Sequence, residues 1–186
     1  QFTPQKVEDG ILKVLIFGGS LGAEQINESV LRLINKNPDF NLKIKHQVGK
    51  NKIKENISKN DKIDYEQVEY IDNMEKAYEW SNVIVARAGA STISELRVVK
   101  KPSILIPYPA ATDNHQFFNA KLLKEESEFN VDLIDHSLYK DELADEVLKK
   151  LEFINENKLV YKEIHNTLSE NPNEIILKEI ENVWNK

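Results

Sequence analysis

The stretch that decides the fold is Arg87-Ala88-Gly89-Ala90-Ser91-Thr92-Ile93-Ser94-Glu95, which follows an apolar segment at 82–86. The apolar segment predicts a buried strand, and the small residues after it predict a tight turn into a helix. The first amides of such a helix have no partner inside the helix and carry a partial positive charge, so they attract an anion. The pattern therefore predicts a phosphate site at a strand-to-helix junction.

A second junction of the same kind lies upstream, at Gly18-Gly19-Ser20-Leu21-Gly22-Ala23. It follows an apolar strand predicted at 12–17 and precedes a helix predicted at 24–35. Glycine-rich turns also occur where a helix only packs close to its strand, so the glycines alone leave a structural interpretation open. Two such junctions at one edge of an open sheet predict a ligand that carries a diphosphate.

The rest of the chain alternates short apolar segments with helical ones. Further strands are predicted at 42–47, 65–71, 103–107 and 130–133, and helices near 51–58, 73–80, 92–100 and 114–126. Beyond Tyr139 the chain reads as helical, with an apolar face formed by Leu143, Val147, Leu151 and Ile154. This alternation predicts an α/β fold, a Rossmann-like open parallel sheet with helices on both faces. Within these segments the runs at 14–17, 83–86 and 104–106 are apolar throughout, so the three strands are expected to be central.

Composition limits the function. The chain has 186 residues and a formal charge of -6, so we expect one substantial domain and no basic face for nucleic acid. It contains no cysteine, which excludes thiol nucleophiles and favours a cytoplasmic location. No apolar run is long enough to span a membrane and no metal-ligand spacing is present. We therefore expect no metal, no cofactor and no direct membrane contact from this chain.

Two local patterns have competing interpretations. Thr92-x-x-Glu95 matches a capping box, but Glu95 is also placed to accept hydrogen bonds from ribose hydroxyls. Asp72-x-x-Glu75 repeats the box without nearby glycines, so there we predict a cap.

The loop at 107–116 follows the third apolar strand and is expected to line the cleft. His115 and Gln116 can donate to a sugar or phosphate, although a histidine in such a loop is more often only a polar surface residue. Phe117 and Phe118 are expected to anchor the next helix in the core. His46 has no partner at a recognisable spacing and is expected to be structural or exposed to solvent.

Four motifs in order resemble the carboxy-terminal half of the MurG family of glycosyltransferases. They are Gly18-Gly19-Ser20-x-Gly22-Ala23-x-x-x-Asn27, Tyr70-Ile71-Asp72-Asn73-Met74, Arg87-Ala88-Gly89-Ala90-x-Thr92-x-x-Glu95 and Asn114-His115-Gln116-x-x-Asn119-Ala120. The resemblance covers roughly residues 11–185. It implies the second domain of the two-domain GT-B architecture, whose enzymes here transfer N-acetylglucosamine from UDP-N-acetylglucosamine to undecaprenyl-pyrophosphoryl-N-acetylmuramyl-peptide, with inversion and without a metal.

The resemblance also implies a domain plan: a linker from a missing first domain at 1–10, the UDP-sugar-binding domain at 11–170, and a helix at 171–186 that packs toward that first domain. The general base, the acceptor site and the membrane-binding patch would belong to the first domain. We therefore expect this chain alone to be inactive, and the full-length protein to be peripheral on the cytoplasmic face of the cell membrane.

Carried over residue by residue, the resemblance assigns donor-binding roles. Ser20 would contact the diphosphate, the backbone of Ile71 would contact uracil, and Glu95 would bind the ribose. His115 and Gln116 would face the donor sugar. The residues around the nucleotide and phosphates would be Ala90, Ser91, Thr92, Ile93 and Ser94, with Gly18, Gly19, Gly22 and Gly89 as the glycines of the phosphate loops.

Two other functions fit the sequence less closely. A UDP-N-acetylglucosamine 2-epimerase shares the architecture, but it should have more acidic and basic residues near the sugar. A non-catalytic subunit of a split transferase would bind the nucleotide sugar and depend on a separate membrane-anchored partner.

Overall fold

The computed structural model describes residues 10–55, 57, 61–126, 130–134 and 137–156. The predicted linker at 1–10, apart from Gly10, and the predicted helix at 171–186 lie outside the described residues.

A six-stranded sheet forms the centre of the described chain, in the order β3-β2-β1-β4-β5-β6. All of its neighbouring strands are parallel. The strands are β1 (Ile11–Phe17), β2 (Asn41–Gln47), β3 (Ile63–Val68), β4 (Val83–Ala86), β5 (Ser103–Leu105) and β6 (Val131–Leu133). The predicted Rossmann-like parallel sheet is therefore confirmed, with β1 and β4 at its centre.

Helices cover both faces of the sheet and bury two apolar cores. They are α1 (Glu24–Asn35), α2 (Met74–Trp80), α3 (Ala90–Val99), α4 (His115–Glu125) and α5 (Lys140–Glu156). One core contains residues of α1 and α5, and the other contains residues of α2, α3 and α4. Leu12, Val14 and Ile16 of β1 belong to the first core, whereas Leu15 and Phe17 belong to the second. Because β1 is covered on both faces, its sequence is apolar almost throughout.

The prediction of a helix near 51–58 is wrong, because none of the described residues there, 51–55 and 57, is helical. Gly49 and Asn51 have left-handed φ angles of 93° and 59°, which interrupt a right-handed helix at its start. The amide of Asn51 donates to Glu69 Oε1 at 2.7 Å, and the amide of Lys54 donates to Gln67 Oε1 at 3.1 Å. Side chains at the end of β3 and just beyond it therefore supply the partners that a helix would have supplied.

The strand predicted at 65–71 is β3, which starts and ends earlier, at Ile63 and Val68. The N-cap predicted after this strand lies one residue later than expected. Asn73, and not Asp72, is the N-cap of α2, where its Oδ1 accepts the amide of Lys76 at 2.9 Å. The other predicted helices and strands of the described chain are found, with ends that differ by up to two residues.

The order of the strands creates a crevice. The chain leaves β1 toward α1 on one face of the sheet, and it leaves the neighbouring β4 toward α3 on the other face. Two adjacent strands whose connections diverge in this way leave a gap beyond their carboxyl ends, where α/β proteins bind ligands. Among the described residues, no helix is both long enough and apolar enough to cross a membrane.

Candidate functional site

A cleft of about 800 Å³ lies at this crevice. Four loops contribute to it, namely those that follow β1, β4, β5 and β6. The lining residues are Gly18, Leu21, Gly22, Ala23, Glu24, Gln25, Arg87, Tyr108, Pro109, Gln116, Ser137 and Tyr139. Gly18 and Gly22 of the first glycine junction, and Arg87 at the start of the second, therefore line one cavity.

Close packing explains two of the glycines in the β1–α1 turn. A Cβ on Gly22 would lie 1.9 Å from the carbonyl oxygen of Val48, and a Cβ on Gly18 would lie 2.3 Å from Ala23 Cβ. The backbone of Gly22 is also left-handed, with φ +69°. The protein's own fold requires glycine at both positions, whatever binds in the cleft. Ser20 lies exposed in the same turn.

Gly89 is different, because nothing lies within 4 Å of the Cβ that it lacks. It is the N-cap of α3, and no side chain caps this helix. The first intrahelical hydrogen bond runs from Ile93 to the carbonyl of Gly89 at 3.0 Å, so the amides of Ala90, Ser91 and Thr92 precede it. The N-terminus of α3 thus combines open space with amides that point out of the helix, which is the arrangement that binds phosphate.

Two residues of the α3 motif serve the helix itself. The side chain of Ile93 is buried in the core, and the hydroxyl of Ser94 donates to the carbonyl of Ala90 at 3.1 Å. Ser91 is exposed and Thr92 is partly buried. In this first turn the backbone amides and Ser91 are therefore better placed for a ligand than the side chains of Ile93 and Ser94.

The capping-box interpretation of Glu95 is wrong. Because α3 begins at Ala90, Thr92 is already the third helical residue and is not the N-cap. Instead, Glu95 Oε2 accepts the hydroxyl of Tyr78 at 2.5 Å. Burial and the Glu95 carboxylate raise the pKa of Tyr78 above its usual range, so the hydroxyl remains a donor.

Arg87 is a cleft residue to which the sequence motif gave no role. Arg87 is 7% exposed, and its guanidinium donates to the carbonyls of Ile106 at 3.0 Å and Pro107 at 2.8 Å. A third hydrogen bond, of 2.8 Å, joins Nη2 to Gln25 Oε1. All three acceptors are uncharged. Burial lowers the pKa of Arg87 to about 10, which still leaves it charged at neutral pH.

Gln25 and Arg87 together connect the loops around the cleft. Gln25 lies in the first turn of α1, and its Nε2 donates to the carbonyl of Leu138 in the β6–α5 loop. Arg87 adds the loops after β4 and β5. The sequence signal that could have indicated Arg87 is a charged residue directly after an otherwise apolar buried strand.

A buried glutamine also connects two of the predicted motifs. Gln47 ends β2, where its Nε2 donates to the carbonyl of Gly19 at 3.0 Å and its Oε1 accepts the amide of Ile71 at 2.8 Å. Ile71 lines a separate pocket of about 350 Å³ beside α2. The amide of Ile71 is therefore occupied, and its carbonyl is the backbone group left for a ligand.

At the start of α4, Gln116 lines the large cleft and its Oε1 accepts the amide of Tyr108 at 3.0 Å. His115 is exposed one residue earlier. Phe117 is half-buried, but Phe118 is 55% exposed, so the expectation that Phe118 anchors the helix in the core is wrong. No three of the described histidine, aspartate and glutamate side chains form a group that could hold a metal ion.

Comparison with known proteins gives a family match over most of the chain. Residues 13–176 match the glycosyltransferase family 28 C-terminal domain. A Rickettsia bellii protein named UDP-N-acetylglucosamine–N-acetylmuramyl-(pentapeptide) pyrophosphoryl-undecaprenol N-acetylglucosamine transferase is 46% identical over 126 residues, which are 64% of this chain and 35% of that protein. A Francisella philomiragia protein of the same name is 35% identical over 99% of this chain and 51% of its own length. The chain thus spans about half the length of these relatives or less.

Solved structures show the same fold. The crystal structure of Acinetobacter baumannii MurG superposes with a TM-score of 0.76 and 24% identity, over 97% of this chain and 55% of that one. The structure of the spinosyn forosaminyltransferase SpnP superposes with a TM-score of 0.57 and 18% identity, over 97% of this chain and 44% of that one. At these identities the likeness concerns the fold alone.

Proposed function

The chain belongs to glycosyltransferase family 28 as a C-terminal domain, and from this premise we propose that it is the donor-binding half of an N-acetylglucosaminyltransferase. The donor is UDP-N-acetylglucosamine, and the acceptor is the undecaprenyl-pyrophosphoryl-N-acetylmuramyl-peptide of peptidoglycan synthesis, as in the names of the relatives. The observation that carries the proposal is the uncapped N-terminus of α3, which begins three residues after Arg87, a residue that lines the cleft together with the β1–α1 turn.

Each part of the donor has a matching group in this arrangement. The diphosphate lies against the first amides of α3 and the hydroxyl of Ser20. Uracil contacts the backbone of Ile71, and the ribose hydroxyls donate to Glu95. The N-acetylglucosamine extends into the large cleft toward Gln116, with His115 at its rim.

In the transfer reaction, this half of the enzyme binds the donor and stabilises the charge on the leaving group. The acceptor hydroxyl forms a bond to the anomeric carbon while the bond from that carbon to the β-phosphate oxygen breaks, so UDP leaves with the electron pair and the configuration inverts. The proton goes to a base outside this chain. The α3 amides and the charged Arg87 beneath the cleft stabilise the charge on the leaving diphosphate.

Titration calorimetry with this chain tests the donor assignment. UDP and UDP-N-acetylglucosamine should bind at least about tenfold more tightly than NAD, with the same affinity in magnesium and in EDTA. NAD binding as tight as UDP binding would overturn the assignment. An absolute requirement for magnesium would contradict charge stabilisation by helix amides and Arg87.

We also propose that the acceptor and the base are supplied by a preceding domain, through which the whole protein reaches the cytoplasmic face of the membrane. The chain alone should then bind the donor without turning over the lipid-linked acceptor. The assay follows radiolabelled N-acetylglucosamine into lipid, with a full-length relative as the positive control. Turnover by the chain alone would place the catalytic groups within these residues.

A further inference from the structure

We propose that Tyr78 is a positioning residue that holds Glu95 ready for a ribose and so makes the site select ribonucleotides over 2′-deoxyribonucleotides. The inference rests on the proposed binding of UDP and adds to it a determinant of sugar selectivity. It depends on one hydrogen bond, from the hydroxyl of Tyr78 to Glu95 Oε2 at 2.5 Å.

The donor of this hydrogen bond is held by the core. Tyr78 lies in α2 and is only 3% exposed. Its ring packs edge-to-face on Phe17 of β1, with ring centroids 6.1 Å apart and an interplanar angle of 76°. A ring enclosed in this way has little room to change rotamer, so the position of its hydroxyl is set by the packing of the core.

The acceptor is an exposed, long side chain that has no comparable packing. Glu95 lies on the second turn of α3, and a free glutamate there would lose rotamer freedom on binding a ligand. The bond to Tyr78 imposes that order before the ligand arrives, and pre-organisation of this kind raises affinity. It also turns the carboxylate toward one side of the helix.

That side of α3 also carries the phosphate end of the site. Ser91 precedes Glu95 by four residues, so the two side chains lie on the same face, about 6 Å apart along the helix axis. A nucleotide whose diphosphate contacts the first turn of α3 therefore brings its ribose to the next turn, beside Glu95.

The chemistry of the carboxylate gives the selectivity. An ionised carboxylate accepts about four hydrogen bonds and donates none. Tyr78 occupies one of these positions on Oε2, which leaves Oε1 and the second position of Oε2 for the two neighbouring hydroxyls of a ribose. A 2′-deoxyribose offers one hydroxyl fewer, and the oriented carboxylate is then left with an unsatisfied position.

The test compares the affinities for UDP and for 2′-deoxy-UDP by titration calorimetry. The wild-type chain should prefer UDP by about tenfold or more, because one charged hydrogen bond is lost with the deoxy compound. Tyr78→Phe removes only the hydroxyl and should reduce this preference to about threefold or less, mostly by weakening UDP. Glu95→Asp shortens the side chain away from Tyr78 and should reduce it as well.

Tyr65→Phe is the matched control. It also removes the hydroxyl of a partly buried tyrosine. That hydroxyl hydrogen-bonds to His46 Nδ1 of β2 at 2.9 Å, outside the proposed site. This variant should keep the wild-type preference. Circular dichroism establishes whether each variant is folded. If Tyr78→Phe does not fold, the preference measured for Glu95→Asp decides the test.

The outcomes separate the two proposals. If the wild-type chain does not bind UDP, the proposed function fails. If it binds UDP but Tyr78→Phe and Glu95→Asp keep the full preference over 2′-deoxy-UDP, the function stands and the role of Tyr78 is wrong. A loss of preference in Tyr65→Phe equal to that in Tyr78→Phe would also overturn this role.

Discussion

His46 should make the folded chain sensitive to mild acid. It is fully buried on β2, its Nδ1 pairs with the hydroxyl of Tyr65, and its Nε2 has no hydrogen-bond partner among the described residues. Burial lowers the pKa of His46 from 6.5 to about 3. A protonated ring would have to donate from both nitrogens, and Nε2 has no acceptor to receive its hydrogen.

The sign and size of the effect follow from linkage. Between pH 6.5 and about 3 the unfolded chain binds a proton at His46 that the folded chain does not, so the free energy of unfolding falls as the pH falls. Each pH unit in this window is worth about 1.4 kcal/mol. From pH 7.5 to pH 5 the contribution of His46 alone is therefore a loss of about 2 kcal/mol, a substantial share of the stability of a typical domain.

Urea unfolding of the wild-type chain and of His46→Gln, each at pH 7.5, 6.5, 5.5 and 5.0, measures this contribution. Glutamine can still accept the hydroxyl of Tyr65 but does not titrate. The wild type should be the more stable at pH 7.5, and its advantage should shrink by about 2 kcal/mol at pH 5. All other ionisable groups are common to both proteins. Two pH profiles that run parallel would refute the argument.

Four further substitutions test the candidate site. Glu95→Gln should weaken UDP binding by about 1–3 kcal/mol in calorimetry and change the free energy of unfolding by less than about 1 kcal/mol, and a variant that melts early yet binds UDP normally would make Glu95 structural. Arg87→Met leaves three buried acceptors without their donor and should cost about 3 kcal/mol in urea unfolding, so a loss under about 1 kcal/mol would contradict its role in joining the loops. Gly22→Ala should destabilise the chain by about 3 kcal/mol, because its Cβ meets the carbonyl of Val48 and its φ is left-handed. Gly89→Ala should change stability by less than about 0.5 kcal/mol but weaken UDP binding, and equal stability losses in the two alanine variants would refute the distinction between them.

Local sequence patterns predicted most of the fold. Apolar segments of strand length, separated by segments with helical periodicity, indicate which residues are buried. They predicted the parallel sheet and its central strands. The main failure has one local cause and one remote cause. At 51–58 the helical pattern was overridden by left-handed residues at Gly49 and Asn51 and by side chains of the distant β3 edge, which the pattern does not encode.

The candidate site was predictable in outline and not in its contacts. The glycine junctions at Gly18 and Gly89 indicated where an anion could approach the backbone. The side chains that organise the cleft were missed because their partners are remote in sequence. Arg87 and Gln25 are 62 residues apart, and Gln47 and Gly19 are 28 apart.

What the sequence by itself determined is the kind of protein: an α/β domain with two phosphate-type junctions and motifs that resemble a glycosyltransferase family. Those features depend on neighbouring residues, whose backbone preferences and periodicity can be read along the chain. What only the tertiary structure decided is the role of individual side chains. The sequence left Glu95 open between a capping residue and a ribose acceptor, and the structure shows it as the partner of Tyr78. That contact depends on how α2 and α3 pack on the same face of the sheet, and a contact between elements is set by packing and not by local sequence.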